Sequence, residues 1–568
     1  MDDTILRYRI GVMLALTALL GHAVFYFMSL APFGVDDANI LFVYSKHFAN
    51  GEGLVYNIGG ERVEGFTSML WMVLTSLPYL FVDRPYPIYL ALNLFFVGSA
   101  LGYALHFVAS RFSATKVGPG VVITLPGVIF IAWVASNPSY FLWTVTSMME
   151  TGFWSALLIF TAIYLLGLFE LGRTPANAPL VFALLLAALI LTRPEGIAWA
   201  LSFATLFFVL QRSHGAPRGE LLRGTGFIIA VGAVTFFGLM LFRLGYFGFP
   251  WPNTYYVKVT PDKFYNLRFG VIYFLQFVQA SSFVILCIVA AAFSVLRNSL
   301  PVIRVLLLGD TGIDRSRLAE FSASCFVLVG MLLPVLMGGD IFGAFRFFQP
   351  VWPLLVIVLF YLLPERWWLV ESQSRIFVVC VTALIVFTTT HWLRWPSLSE
   401  DRARVGHLYE LSDRGMQTGA YLEQLFASRR AGLPTVSWSA AGGKIGYAGN
   451  VLDTMGLNFT PMAHHDGDKK GTRGHAAFDK DVFWLYATDL FEPTLCPRNA
   501  PPVNRYKNEN NWIFEIYRGL PGDERFQSEY SFVAIDVPDS TDKVCTYIRT
   551  GLRKELSASD AFSWQIVN

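Results

Sequence analysis

Long apolar stretches recur along most of this 568-residue chain, and they constrain its fold more than any other feature. About eleven of them approach the length that crosses a bilayer core, which is roughly 17 to 25 residues as a helix. They are residues 10–30, 88–110, 121–135, 151–168, 181–192, 197–210, 225–244, 271–296, 321–337, 351–363 and 376–390. With 54% hydrophobic and only 15% charged residues, the sequence predicts a polytopic α-helical membrane protein.

The composition changes after Trp395, where charged residues, Gly, Asn and Pro become frequent. This tail is as long as an ordinary domain. We therefore predict two domains, a membrane domain over 1–394 and a soluble mixed α/β domain over 395–568. The tail contains four segments with strand character, at 434–439, 446–457, 511–518 and 530–537. Cys496 and Cys545 both lie in it, and an oxidising compartment would allow them to pair.

The positions of Lys and Arg set the expected orientation, because cytoplasmic loops of membrane proteins carry an excess of these residues. We place the following on the cytoplasmic side: Arg7, Arg9, Arg111, Lys116, Arg173, the run 212–223, Arg297, Arg304, Arg315 and Arg317. This orientation requires the apolar piece 69–82 to be a half-helix or an interfacial helix. The polar segments 36–66, 136–150, 192–196, 246–258 and 338–349 and the tail then share the opposite face, which favours an active site there.

Asp36 and Asp37 form an acidic pair where the first apolar span meets water, within the first outward loop, 31–68. A positioned carboxylate at such a boundary is suited to take a proton from a sugar hydroxyl. The alternative is that the pair caps a helix over 38–49, since acidic residues suit a helix N-terminus. Capping needs one side chain and leaves the second carboxylate for a metal ion, an arginine or the substrate.

Further polar residues follow in the segments of the same face. Arg62, between Glu61 and Glu64, is either a surface ion pair or a phosphate contact. Arg193 and Glu195 interrupt an apolar run and form either a buried structural pair or part of a site. Other candidates are Glu150 at a helix start, Asn253 and Lys258 in an aromatic segment, and Asp340 and Arg346 in a glycine-rich loop expected to be flexible and to bind phosphate.

Several functional classes find little support in the sequence. A formal net charge of +2 argues against a nucleic-acid partner, which needs a concentrated basic face. The run Gly442-Gly443-Lys444 lacks the spacing of a nucleotide-binding P-loop. His464-His465-Asp466 is more typical of a flexible loop than of a closed metal site. A divalent cation held by Asp37 and a phosphate stays open, although its ligand set is incomplete.

Several blocks of the sequence resemble one enzyme family. They are DDANILFVYSKHFANGEGLVYNIGGERVEGFTSMLW, TSMMETGF, LTRPEG, YFGFPWPNTYYVK, MGGDIFGAFRFFQP and IGYAGNVLDTMGL. In this order they are similar to the GT-C superfamily of membrane glycosyltransferases, which use lipid-linked sugars. The bacterial arabinofuranosyltransferases, with the mycobacterial terminal β-arabinofuranosyltransferase, are the branch that they resemble most. The resemblance covers most of the chain.

The resemblance implies roles for individual residues. An acidic residue in the first outward loop is the catalytic base of such enzymes, which matches Asp36, with Asp37 beside it as orienting group, metal ligand or alternative base. The donor is a polyprenyl-phosphate sugar, so Arg62, Arg193, Lys258 and Arg346 become candidates for its phosphate. We expect the remaining polar residues to contact substrate, namely Glu64, Glu150, Glu195, Asn253 and Asp340. The implied location is the bacterial inner membrane, with the site on the periplasmic side.

The expected reaction is an inverting single displacement, which needs one base because the phosphate leaves unprotonated. The sugar is expected to be arabinofuranose, and the acceptor a glycan, a lipid or a pilin-type protein outside the cytoplasm. No nucleotide is required, and a divalent cation stays possible. The alternatives are a lipid-linked-sugar flippase or transporter, and an assembly or receptor protein without catalytic activity. Transporters often contain two related halves, and the sequence has no such repeat.

Overall fold

A computed structural model describes residues 3–112, 124–259, 262–363, 375–395, 399–467, 469, 475–497, 499, 501–504, 506, 512–557 and 563–567. The protein is mostly helical, with a small sheet in its C-terminal part. Lys116, which we used to orient the chain, and the first three residues of the apolar stretch 121–135 lie outside the described residues.

The helices of the N-terminal two thirds of the chain begin and end as follows. The first nine are α1 (Asp3–Met28), α2 (Asp36–Ala49), α3 (Met69–Ser76), α4 (Tyr86–Arg111), α5 (Leu125–Ala135), α6 (Pro138–Phe141), α7 (Thr151–Leu171), α8 (Ala178–Thr192) and α9 (Gly196–Ser213). They are followed by α10 (Arg218–Leu221), α11 (Phe227–Phe247), α12 (Asn253–Lys258), α13 (Lys263–Ala280), α14 (Val284–Leu308), α15 (Arg315–Leu336), α16 (Trp352–Leu355), α17 (Ile357–Leu362), α18 (Arg375–Arg394) and α19 (Ser399–Phe426).

The C-terminal part contains shorter helices and every strand found in the described residues. The strands are β1 (Val436–Trp438), β2 (Val451–Asp453), β3 (Leu490–Pro497), β4 (Tyr530–Asp536), β5 (Asp542–Arg549) and β6 (Trp564–Ile566). The helices are α20 (Thr460–His464), α21 (Lys480–Leu485), α22 (Trp512–Ile516), α23 (Glu524–Glu529) and α24 (Thr550–Ser557). A short 3₁₀ helix, Ala441–Gly446, connects β1 to β2.

Within the described residues, seven helical segments are long and apolar enough to cross a membrane. They are α1, α4, α7, α9, Arg218–Phe247, α14 and α15, and the bent pair that begins with α5 would make eight. These lengths are compatible with a multi-pass membrane protein, as the sequence predicted. The count of eleven spans stays a prediction, because several of the predicted stretches form apolar helices shorter than 18 residues.

Two apolar stretches do not form a single helix of spanning length. We predicted one span over 271–296, and this is wrong, because α13 ends at Ala280 and α14 begins at Val284. The stretch 69–82 forms α3 and a 3₁₀ turn, Leu77–Leu80. These twelve residues extend about 18 Å at 1.5 Å per residue, too short for a hydrocarbon core of about 30 Å. A half-helix or interfacial helix was the prediction, and the length agrees with it.

The chain divides into two compact units, each made of segments that are distant in sequence. The first unit comprises Met1–Pro32, Tyr86–Leu239 and Lys263–Val405. Its helices α1 and α4 pack closely because glycines lie where the backbones meet. A Cβ at Gly102 would approach the Cα of Ile10 to 2.5 Å, and one at Gly98 the Cα of Leu14 to 2.9 Å. Small residues spaced four apart allow such close helix packing in membranes.

The second unit comprises Phe33–Pro85, Met240–Asp262 and Gly406–Asn568. Its core is a six-stranded mixed sheet in the order β2-β1-β3-β5-β4-β6. The strands β2 and β3 pair parallel to β1, and the remaining pairs are antiparallel. A disulfide joins Cys496 of β3 to Cys545 of β5, the pairing that the sequence allowed. The predicted domain boundary at residue 395 stays a prediction.

The strand predictions for this unit are mostly confirmed. The segments 434–439, 446–457 and 530–537 contain β1, β2 and β4. The predicted strand at 511–518 is wrong, since Trp512–Ile516 is a short helix. A short apolar run flanked by polar residues is compatible with either structure, and packing decides between them. The prediction of a mixed α/β domain is confirmed.

Candidate functional site

Asp36 is the first residue of α2, which begins eight residues after α1 ends at Met28. The N-cap residue is Val35, whose side chain makes no capping hydrogen bond. Asp36 and Asp37 therefore do not supply the N-cap, although both lie in the first turn, where the helix dipole favours acidic residues. Asp36 is only 8% exposed, whereas Asp37 is half-buried. The Oδ1 atom of Asp36 is buried without a hydrogen-bond partner among the described residues. A buried carboxylate oxygen without a donor is costly, and such groups are typical of catalytic positions.

The 3₁₀ helix Ala441–Gly446 packs on α2 and provides the immediate surroundings of Asp36. Gly442 is so close that a Cβ there would lie 2.4 Å from the carbonyl oxygen of Asp36 and 2.5 Å from its Oδ1. The hydroxyl of Tyr56 donates to the carbonyl of Ala441 at 2.5 Å and holds this 3₁₀ helix in place. Only glycine fits at position 442 while Asp36 keeps its position.

These surroundings raise the pKa of Asp36 from its ordinary value to about 8. The main cause is burial, and the negative charges of Asp37 and Asp453 contribute in the same direction. The backbone amide of Gly442 acts oppositely and lowers the pKa in part. A carboxylate with a pKa near the working pH is a stronger base than an exposed one, which is the property that general-base catalysis needs.

Asp453 at the end of β2 is the residue near Asp36 whose role sequence reasoning missed. It is fully buried and accepts hydrogen bonds from the backbone amides of Met455 and Asn458 and from the Asn458 side chain, at 2.8 to 2.9 Å. Burial raises its pKa to about 6 in spite of these donors. Tyr44 of α2 donates to Asn458 Oδ1 at 3.0 Å, so this loop is tied to the helix that begins with Asp36. The available signal was an acidic residue that ends an otherwise apolar strand.

Removing one of these neighbouring charges should change the pKa of Asp36. We expect Asp37→Asn to lower the pH at which Asp36 ionises, and Asp453→Asn to lower it by less, because Asp37 is the larger electrostatic cause. The midpoint of the pH profile of activity should move to lower pH in the same order. A variant that only disturbs the fold would reduce the maximal rate at every pH and leave the midpoint in place.

Glu64 and Arg243 form a buried bidentate ion pair in the same unit. Arg243 donates from Nε and Nη2 to the two carboxylate oxygens at 2.8 and 2.9 Å, and both residues are at most 4% exposed. Arg62 instead lies over the ring of Tyr246, with 4.6 Å between its Cζ and the ring centroid. Glu64, which we predicted to contact substrate, thus has both oxygens engaged by an arginine that the sequence did not single out.

The ion pair should matter for stability more than for chemistry. Removing one partner of a buried pair leaves the other charge uncompensated, and this costs about 3–5 kcal/mol. We expect Glu64→Gln to lower the free energy of unfolding by this amount, measured by denaturant titration of the detergent-solubilised protein. Glu555→Gln, in an ion pair with Arg429 whose carboxylate is exposed, should cost less than about 1 kcal/mol. Equal effects of the two changes would contradict the assignment.

Asn253 and Lys258 lie at opposite ends of the short helix α12. The Asn253 side chain donates to the carbonyls of Gly456 and Leu457 at 2.7 and 3.1 Å, and its oxygen pairs with His464 at 3.0 Å. Asn253 therefore joins α12 to the loop after β2. Lys258 is exposed at the last position of the helix.

In the first unit, Arg193 lies between α8 and α9 and forms ion pairs with two carboxylates. It donates from Nη1 to Glu150 and from Nε to Glu195, both at 2.5 Å. Glu150 occupies the position before α7, but its side chain does not cap that helix and points to Arg193 instead. Glu195 keeps one buried oxygen without a hydrogen-bond partner in the described part of the chain. The sequence left two alternatives for Arg193, a buried structural ion pair and a part of a site. The structure contains the buried ion pair, and Arg193 shares it with both Glu150 and Glu195.

The loop after α15 brings Arg346 and Asp340 to the same cluster. Arg346 donates to Asp340 at 2.7 Å and contacts Met149 Sδ at 3.3 Å. The ring of Phe347 lies 5.2 Å from the Cζ of Arg193 and 5.1 Å from that of Arg346. Ala344 and Phe345 have left-handed φ angles of 58° and 51°, which non-glycine residues adopt only when packing imposes them. The predicted flexible phosphate loop is thus largely buried and defined by its contacts.

The five charged residues predicted in this unit therefore form one cluster. Glu150, Glu195 and Asp340 surround two guanidinium groups, and all three carboxylates contribute to the electrostatic field at Arg193. Three acids exceed two cations, so the cluster has no excess positive charge for a phosphate. Within the described residues, no group of three or more His, Cys, Asp or Glu side chains could hold a metal ion.

Comparisons with known families and curated proteins found no relative of this chain. No model of a known protein family matches the chain, and no curated protein matches it either. The functional argument therefore depends on the residues described above.

Proposed function

We propose that this protein is a membrane glycosyltransferase of the GT-C type, which moves a sugar from a polyprenyl-phosphate donor to a glycan, lipid or protein acceptor. The sugar that we propose is arabinofuranose, and the location is the bacterial inner membrane with Asp36 on the periplasmic side. The observation that supports the proposal is Asp36 itself. It is a buried carboxyl with a pKa of about 8 at the start of α2, and in the sequence it follows α1, an apolar helix of spanning length.

In the proposed reaction, the oxygen of an acceptor hydroxyl attacks the anomeric carbon of the donor sugar from the side opposite the phosphate. The bond between this carbon and the phosphate oxygen breaks, and the hydroxyl proton passes to Asp36. The polyprenyl phosphate leaves with the bonding electron pair and needs no acid. The configuration at the anomeric carbon is inverted. Positive charge near the departing phosphate stabilises the transition state.

We assign that positive charge to Arg62 and Lys258, which belong to the same unit as Asp36 and are exposed. A guanidinium can bind phosphate through two parallel hydrogen bonds, and an ammonium acts as a compact point charge. Arg193 and Arg346 were also candidates from the sequence. Their carboxylate partners already balance them, so the proposal gives them a structural role in the first unit.

The pKa of Asp36 predicts how the activity depends on pH. A general base acts only when ionised, and the ionised fraction rises with pH until the pKa of about 8 is passed. We expect kcat/KM to fall about tenfold for each pH unit below that value and to level off above it. The measurement is transfer from a synthetic polyprenyl-phosphoryl arabinofuranose to an acceptor glycan in detergent, between pH 5 and 9. A flat profile, or transfer that rises with acidity, would contradict the assignment of the base.

A further inference from the structure

A cavity of about 280 Å³ lies in the first unit, where several helices end or break. The end of α1, the bend between α5 and α6, the break between α13 and α14, the loop after α15 and the end of α18 enclose it. Its volume is near the lower limit of small-molecule sites, about 300–1,000 Å³. None of the residues that we assign to sugar transfer lines it.

The inner wall of the cavity is apolar. Phe277 and Trp352 are each only 1% exposed, and Phe283 packs edge-on against Trp352 with 5.8 Å between ring centroids. Met28 and Leu142 complete this wall. The wall therefore suits hydrocarbon, because burying apolar carbons against apolar side chains is favourable.

The polar groups are placed differently. Asn137 donates to Gln349 at 2.8 Å, and Gln349 donates to the carbonyl of Ala344 at 2.8 Å, so these amides bind each other and the loop. Two basic side chains, His391 and the exposed Arg394, line the cavity near the end of α18. An apolar interior with basic groups on one side fits an amphiphile that has a phosphate at its polar end.

The surface around the cavity indicates which amphiphile this is. On α18, Val379 and Leu393 are 66% and 69% exposed, and Leu286 of α14 is 62% exposed. Exposed aliphatic side chains on apolar helices face lipid in a membrane protein. We propose that the cavity binds a membrane phospholipid with a net negative charge. The phosphate contacts Arg394 and His391, and the first acyl carbons pack against Phe277 and Trp352. This inference does not depend on the proposed transferase activity.

The test is native mass spectrometry of the full chain released from nanodiscs that contain phosphatidylglycerol or phosphatidylcholine. We expect one phosphatidylglycerol to be retained in preference to phosphatidylcholine. Arg394→Gln should weaken phosphatidylglycerol retention about tenfold, the size of one charge-assisted hydrogen bond, and remove the preference. Ala280→Trp, which fills the cavity from the end of α13, should reduce retention of both lipids.

Matched controls are Arg268→Gln and Ser282→Trp, since both residues are exposed and neither lines the cavity. They should behave like the unmodified protein. Unchanged phosphatidylglycerol retention in both Arg394→Gln and Ala280→Trp would overturn the proposal. A polyprenyl phosphate that displaces phosphatidylglycerol, together with loss of sugar transfer in both variants, would also overturn it and assign the cavity to the donor. Sugar transfer that disappears only in Asp36→Asn would leave the lipid site intact.

Discussion

Asp36→Asn should reduce sugar transfer by about 10²–10⁴-fold, the usual contribution of a general base. The amide has nearly the same shape as the carboxyl but cannot accept the proton of the acceptor hydroxyl. The loss should appear in kcat, because the base acts in the transition state and does not hold the ground-state substrate. The measurement is the rate of transfer from a synthetic polyprenyl-phosphoryl arabinofuranose, with the acceptor varied to separate kcat from KM.

The variant should remain folded. Asp36 has a raised pKa because its ionised form is poorly stabilised by the surroundings, so a neutral amide there does not destabilise the protein through lost charge. Asp481→Asn, at an exposed position of the same unit, is the matched control and should leave transfer unchanged. Full activity in folded Asp36→Asn would exclude Asp36 as the base.

Gly442→Ala should reduce transfer by about 100-fold, although Gly442 is far from Asp36 in the sequence. The added Cβ would lie 2.4 Å from the carbonyl oxygen of Asp36 and 2.5 Å from Oδ1, so the start of α2 or the 3₁₀ helix must shift. A displacement of about 1 Å at a catalytic group costs about two orders of magnitude in rate. The reason is geometric, since Ala keeps the amide that faces the carboxylate.

Gly551→Ala is the matched control for this change. Gly551 lies in α24 of the same unit, and nothing would be within 4 Å of an added Cβ. Alanine also suits a helix better than glycine. We expect this variant to retain transfer and stability. Unchanged activity in Gly442→Ala would show that the close approach to Asp36 is not required for catalysis. Thermal unfolding of each variant separates loss of activity from loss of fold.

The helices could be predicted from the sequence where a long apolar run coincides with one helix. The stretches 88–110 and 151–168 lie inside α4 and α7, because a long apolar run can satisfy its backbone in a membrane only as a helix. The break at Ser281–Phe283 was missed. Neither proline nor glycine marks it. The signal was a short group of uncharged polar residues, Gln279, Ser281 and Ser282, which the predicted span included in the apolar run.

Some residues of the candidate site could also be predicted from the sequence, and others could not. Asp36 could be chosen as a candidate because an acidic pair shortly after a long apolar stretch is unusual in itself. Its neighbours Gly442 and Asp453 could not, because they lie far along the chain and reach α2 only when β1 and β2 have formed. Arg243 was missed for the same reason, since nothing in its apolar surroundings points to Glu64.

Long apolar helices, the positions of most of them, the sheet-containing tail and the acidic pair after the first apolar stretch could all be read from the residues alone. These properties depend on composition and local patterns, which act over a few turns of chain. Folding brings together the charges that neutralise each other, and it leaves Oδ1 of Asp36 buried without a hydrogen-bond partner among the described residues. Burial and contact between distant segments set the pKa of a side chain, and neither is written in the residues next to it.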